Sequence, residues 1–125
     1  MQRNMSRLVM CVVVAVLTLL VVVVAAADEA ARHRCWACHM VSRQVEHDAE
    51  KEVMDAAGAS KLLGGLCDRI RPNYESMFKD PVAGAGGRAV LERCESVVAE
   101  AGAELTALAT RQVGVTANTA CKKHC

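Results

Sequence analysis

The organisation of the chain follows from Cys35-Trp36-Ala37-Cys38. Two cysteines three apart share one face of a helix, one turn from each other. Cys121 and Cys125, four apart, repeat the device near the other end of the chain. Cys67 and Cys94 lie between, in Leu66-Cys67-Asp68-Arg69-Ile70 and Cys94-Glu95-Ser96-Val97-Val98. Six cysteines allow 15 pairings, and sequence alone does not select one. Each bond needs Cα atoms within about 7 Å. A first helix leaving from Cys35 and a last one returning antiparallel then favour a nested order. In it Cys35 pairs with Cys125, Cys38 with Cys121 and Cys67 with Cys94.

The 125 residues suffice for one domain. Residues 1–27 read as a signal peptide. Arg3 and Arg7 form a positive start, Leu8 to Val24 is almost wholly apolar, and Ala25-Ala26-Ala27 offers a cleavage site. The apolar run is long for a signal peptide, so an uncleaved anchor is the rival reading. Either way residues 28–125 are expected on the lumenal or outer side. Of 15 basic residues two fall in the leader, leaving 13 against 14 acidic. That balance gives no electrostatic case for nucleic acid. Setting aside Cys11 leaves six of the seven cysteines, an even number in a translocated chain, which points to a disulfide framework. With one Trp, one Tyr and one Phe, the core must be aliphatic, and so small a core is marginal without staples.

The rest of the chain reads as helices. From about Arg32 to Ala57, apolar residues or cysteines recur at Cys35, Cys38, Val41, Val45, Ala49, Val53 and Ala56, with Gly58 as the stop. A second helix is expected from a Ser60 cap to about Ile70, weakened by Gly64-Gly65 and left at Pro72. Gly64-Gly65 also suits a close crossing. Tyr74 to Phe78 allows one helical turn, and Asp80 to Gly87 reads as a flexible surface loop. A third helix is expected from Arg88 to about Thr110, and a short one from Ala117 to Cys125. Glu92, Glu95, Glu100 and Glu104 read as its solvated face. The fold class is all-α: a disulfide-linked bundle of about four helices.

Three chemical motifs compete for the same cysteines. Cys35-Trp-Ala-Cys38-His39 matches a c-type haem attachment site, but haem would take two cysteines and leave four unexplained. A thioredoxin-type redox pair needs a βαβ setting, and no strand pattern is present. Zinc has His33, His39 and His124 near both cysteine pairs, yet paired cysteines in an oxidising compartment usually become disulfides. Neither metal nor cofactor is therefore expected. No nucleophile–base or paired-carboxylate arrangement stands out, so no enzyme is expected.

The cysteine order, with Cys67-Asp68-Arg69, Cys94-Glu95-Ser96-Val97-Val98-Ala99-Glu100 and Glu104-Leu105, resembles the canopy family of saposin-like endoplasmic-reticulum proteins. The resemblance covers essentially everything after Asp28. It implies a saposin-like helical domain over residues 28–125. It implies a non-enzymatic co-chaperone or adaptor that assists folding or trafficking of secreted or cell-surface proteins. Partners would be such clients and lumenal chaperones, in the endoplasmic-reticulum lumen or after secretion. Only the six cysteines carry over as site residues. A saposin-like lipid-binding protein is the alternative.

Overall fold

The computed structural model describes residues 2–125 and is all-helical; among the described residues there is no strand. Five α-helices and one short 3₁₀ helix follow in order: α1 Gln2–Lys51, α2 Ala56–Glu75, the 3₁₀ turn Ser76–Lys79, α3 Ala83–Glu100, α4 Gly102–Ala109 and α5 Ala117–Ala120. The count exceeds the expected four because the third helix breaks. The chain forms two compact units, one ending at Ala30 and one over Ala31–Cys125.

In the first unit the helical side chains from Leu8 to Val24 are exposed throughout. The segment is long and apolar enough to cross a membrane.

The second unit is built on the stripe that begins at Cys35. Ala37, Cys38, Val41, Ser42, Val45 and Ala49 are the buried face of α1, at helical steps of three and four. The stripe stops there. Val53 is 75% exposed and Ala56 lies at the surface, so neither joins the core as expected. The core is completed by Leu63, Leu66 and Ile70 of α2, Val90 and Val97 of α3, and Leu105 and Leu108 of α4. No aromatic ring is among its fully buried members.

Helix α2 starts earlier than expected. Asp55, not Ser60, is the N-cap, and its carboxylate accepts from the Gly58 N–H at 2.7 Å. Gly58 therefore sits in the first turn, where its amide is one of the donors that no helical carbonyl reaches. Helix α2 also runs through Pro72 to Glu75. Proline removes the bond to the Asp68 carbonyl. Pro72 and Asp68 both face solvent, which limits the penalty.

The expected loop at Asp80–Gly87 is mostly helix. The Asp80 carboxylate accepts from the Val82 and Ala83 amides at 2.8 and 3.0 Å, and α3 begins there. The glycines are contact surfaces. A Cβ on Gly84 would lie 2.9 Å from the Phe78 carbonyl oxygen, one on Gly87 3.0 Å from that of Tyr74, and one on Gly86 2.7 Å from the Trp36 ring. The expected close crossing at Gly64-Gly65 is absent, since a Cβ at either would meet nothing within 4 Å.

The third helix divides at Ala101 (φ −102°, ψ 18°) into α3 and α4. Helix α4 ends in a Schellman turn: the Gln112 N–H donates to the Ala107 carbonyl at 2.9 Å and the Arg111 N–H to the Leu108 carbonyl at 3.2 Å. The left-handed position of that turn, usually glycine, holds Arg111 (φ 56°). Its Nε donates to the Ala49 carbonyl near the end of α1 at 2.7 Å. An interhelical bond thus offsets a backbone penalty of about 1 kcal/mol.

Candidate functional site

Two arrangements in the second unit bear on function: the disulfide frame and an aromatic corner. In the frame Cys35 is bonded to Cys125, Cys38 to Cys121 and Cys67 to Cys94. Cys35 and Cys38 project from the same face of α1, as helical spacing requires, but each binds a different partner near the chain's other end. No bond joins these neighbours, as a C-x-x-C redox couple would need. Cys11 is a free, exposed cysteine in the first unit.

The bonds differ in exposure. Cys38 and Cys121 are both 0% exposed, and Ser42 Oγ lies 3.2 Å from Cys121 Sγ. Cys67 and Cys94 are also buried. Cys35 is only partly buried and Cys125 is exposed. His39, one turn beyond Cys35, places Nε2 3.5 Å from Cys125 Sγ. Its Nδ1 is buried and has no hydrogen-bond partner among the described residues.

The segment carrying the last cysteines is held by polar contacts as well. Glu46 Oε2 accepts from the Ala117 amide at 3.1 Å. In α5 Thr116 and Thr119 form a reciprocal cap. Lys123 pairs with Glu104 and His124 with Glu100, each at 3.6 Å. Glu92, Glu95 and Glu100 are exposed, as expected of a solvated face, whereas Glu104 is partly covered. His39 and His124 are both partly buried.

The aromatic corner is the start of α3, where Gly86 lies against Trp36 of α1 and Gly87 against the Tyr74 backbone of α2 and Phe78 of the 3₁₀ turn. Trp36, Tyr74 and Phe78, the chain's one Trp, Tyr and Phe, are each partly exposed. Trp36 rests on Gly86, and the Phe78 ring approaches Gly87. The Arg88 guanidinium stacks 4.9 Å from the Phe78 ring centre. Partial burial raises the Tyr74 hydroxyl above its ordinary pKa. The Ala83 and Val82 amides donating to Asp80 hold its carboxyl below the usual value. Nothing in the corner pairs a nucleophile with a base.

A separate open groove of about 830 Å³ runs beside the α1–α2 connection. Val53, Met54 and Leu62 line it with Asp55, Lys61 and Arg69. Arg69 also bonds Asp48 of α1 at 3.0 Å.

Sequence reasoning identified the six cysteines. It missed Glu46 as an acceptor, the Asp48–Arg69 pair and Arg111, which hold the elements in place. Nothing local in the sequence marks Arg111. Comparison with known protein families, characterised proteins and solved structures found no match to this chain.

Proposed function

We propose that this chain is a non-enzymatic co-chaperone or adaptor of the secretory pathway, with a saposin-like domain of canopy type. Residues 1–27 direct it across the membrane, and it works in the endoplasmic-reticulum lumen or outside the cell. It assists folding or trafficking of secreted or cell-surface proteins by touching them and lumenal chaperones. The observation that carries this reading is the placement of Trp36, Tyr74 and Phe78. Each is partly exposed and borders Gly86 or Gly87 at the start of α3, Arg88 stacks on Phe78, and the fully buried core beneath is aliphatic. Aromatic residues and arginine are the types that dominate protein–protein hot spots. The disulfide frame suits an oxidising compartment.

The test is cross-linking in a secretory lumen with the natural chain and with Tyr74→Ala plus Phe78→Ala, checked for intact disulfides. Lumenal chaperones or immature surface proteins should link to the first and drop at least tenfold with the second. Equal capture by both, or none by either, rejects the reading.

A second reading, saposin-like lipid binding, draws on the 830 Å³ groove, which lies within the size range of small-ligand sites. Lipid extracted from the purified protein and counted by mass spectrometry decides it: one lipid per chain favours it, and none rejects it.

A further inference from the structure

We propose that reduction of the Cys35–Cys125 bond uncovers a zinc site made of Cys35, His39 and Cys125. This inference is independent of the adaptor reading and rests on three observations.

First, the ligand-capable atoms of these three residues lie within 4.8 Å of one another. Bond lengths of about 2.3 Å to thiolate and about 2.0–2.1 Å to imidazole set ligand atoms roughly 3.5–3.8 Å apart in a tetrahedral zinc site. His39 Nε2 and Cys125 Sγ are already 3.5 Å apart. Cys35 and His39 are separated by one helical turn of α1, so a rigid element presents two of the three ligands on one face. Second, this is the one disulfide that solvent reaches. Cys35 is partly exposed and Cys125 exposed, whereas the other four bonded cysteines are buried. A thiol reductant can meet these sulfurs while Cys38–Cys121 and Cys67–Cys94 keep the fold closed. Third, the ring nitrogen aimed at the sulfur is Nε2, while the buried Nδ1 lacks a partner. The ring thus already turns toward the Cys125 sulfur the nitrogen that a metal ion would engage, with no rotation of the side chain required.

The chemistry balances. A dithiol reductant gives two electrons and two protons to the Cys35–Cys125 bond and becomes a disulfide. The S–S bond breaks and two thiols form. Zinc then displaces one proton from each thiol, binds both thiolates and His39 Nε2, and keeps a water as fourth ligand. Two thiolates and an imidazole favour zinc over magnesium or calcium. In the reverse direction a small-molecule disulfide accepts two electrons from the two thiolates and becomes a dithiol, the Cys35–Cys125 bond re-forms and zinc is released.

The test uses the full-length chain in mild detergent. Graded dithiothreitol followed by alkylation and peptide mapping should label Cys35 and Cys125 before the four buried cysteines. Cobalt(II) added to that partly reduced form should give a thiolate charge-transfer band at one equivalent, bleached by zinc and absent without reductant. His39→Gln should leave the order of reduction unchanged and weaken cobalt binding by more than about 100-fold, since outer-shell partners alone are worth 10–100-fold. Cys125→Ser, which cannot close the bond, serves if the histidine variant misfolds: it should lose the two-thiolate band. Simultaneous opening of all three bonds, no cobalt band, or a band that neither variant alters would overturn the proposal.

Discussion

The two disulfides that tie α1 to the last cysteines should be strongly non-additive. Their sequence separations, 90 and 83, differ by seven positions, so either bond closes nearly the same large loop. With one present, the other adds only a ring of about seven residues, worth roughly 2.4 kcal/mol in the loop-entropy relation. The large loop itself is shortened by Cys67–Cys94, which bridges 27 of the 83 positions. Its closure is worth about 4.2 kcal/mol. Removing either bond by paired alanine substitution should therefore cost about 2.4 kcal/mol, and removing both about 6.6 kcal/mol. The coupling is near 2 kcal/mol, which a double-mutant cycle resolves. The inner pair should cost somewhat more than the outer, because Cys38 and Cys121 are fully buried and alanine leaves a void there. Urea unfolding of the four species under oxidising conditions measures all of this. Losing both should bring a domain of this size close to unfolding. Additive losses, or a single removal as damaging as the double, would refute the shared-loop reasoning.

Other substitutions separate the roles of the glycines and caps. Gly86→Ala puts a methyl 2.7 Å from Trp36 and should destabilise by about 1–3 kcal/mol, with a change in tryptophan fluorescence. Gly64→Ala meets open space inside a helix and should raise the melting temperature, by up to about 1 kcal/mol of stability. Asp55→Ala removes the cap on α2 and should cost about 1 kcal/mol in urea unfolding. Tyr74 titrates above its ordinary value because burial disfavours the phenolate, so its folded pKa exceeds the unfolded one. Its contribution is complete below the unfolded value and fades as pH rises through the folded one. Ultraviolet titration follows this directly, since the chain has one tyrosine, and an unshifted alkaline midpoint would contradict the burial.

The helical class and most of the buried stripe were legible because cysteine and aliphatic spacing follows the helical period over long stretches. Cys38, Val41 and Val45 are read from that period and all lie in the core. The boundaries were less legible, because their signals are tertiary. Asp55 outcompetes Ser60 as a cap since α1 ends early enough to free it. Gly84, Gly86 and Gly87 look like loop residues in one dimension, yet they are small because Trp36 and the backbone at Tyr74 and Phe78 come so near. Arg111 carries no local mark, since its value lies in reaching a carbonyl 62 positions earlier. The aromatic corner was not legible: Asp80 to Gly87 was expected as a loop and is mostly helix, and the approach of Trp36 to Gly86 depends on how α1 packs.

The nested bonds also dictate an order of events as the chain emerges from the ribosome. Of the six bonded sulfurs those at 35 and 38 appear first and their mates last, about 80–90 residues later. Only the central pair, 67 and 94, can lock before residue 121 has been added. Until then the two early thiols wait within one turn of each other, and the tempting error is to bond together. A chain that takes that short cut must exchange partners before its native pairs can close, so refolding from the reduced state should show a slow phase that a thiol–disulfide exchange catalyst shortens.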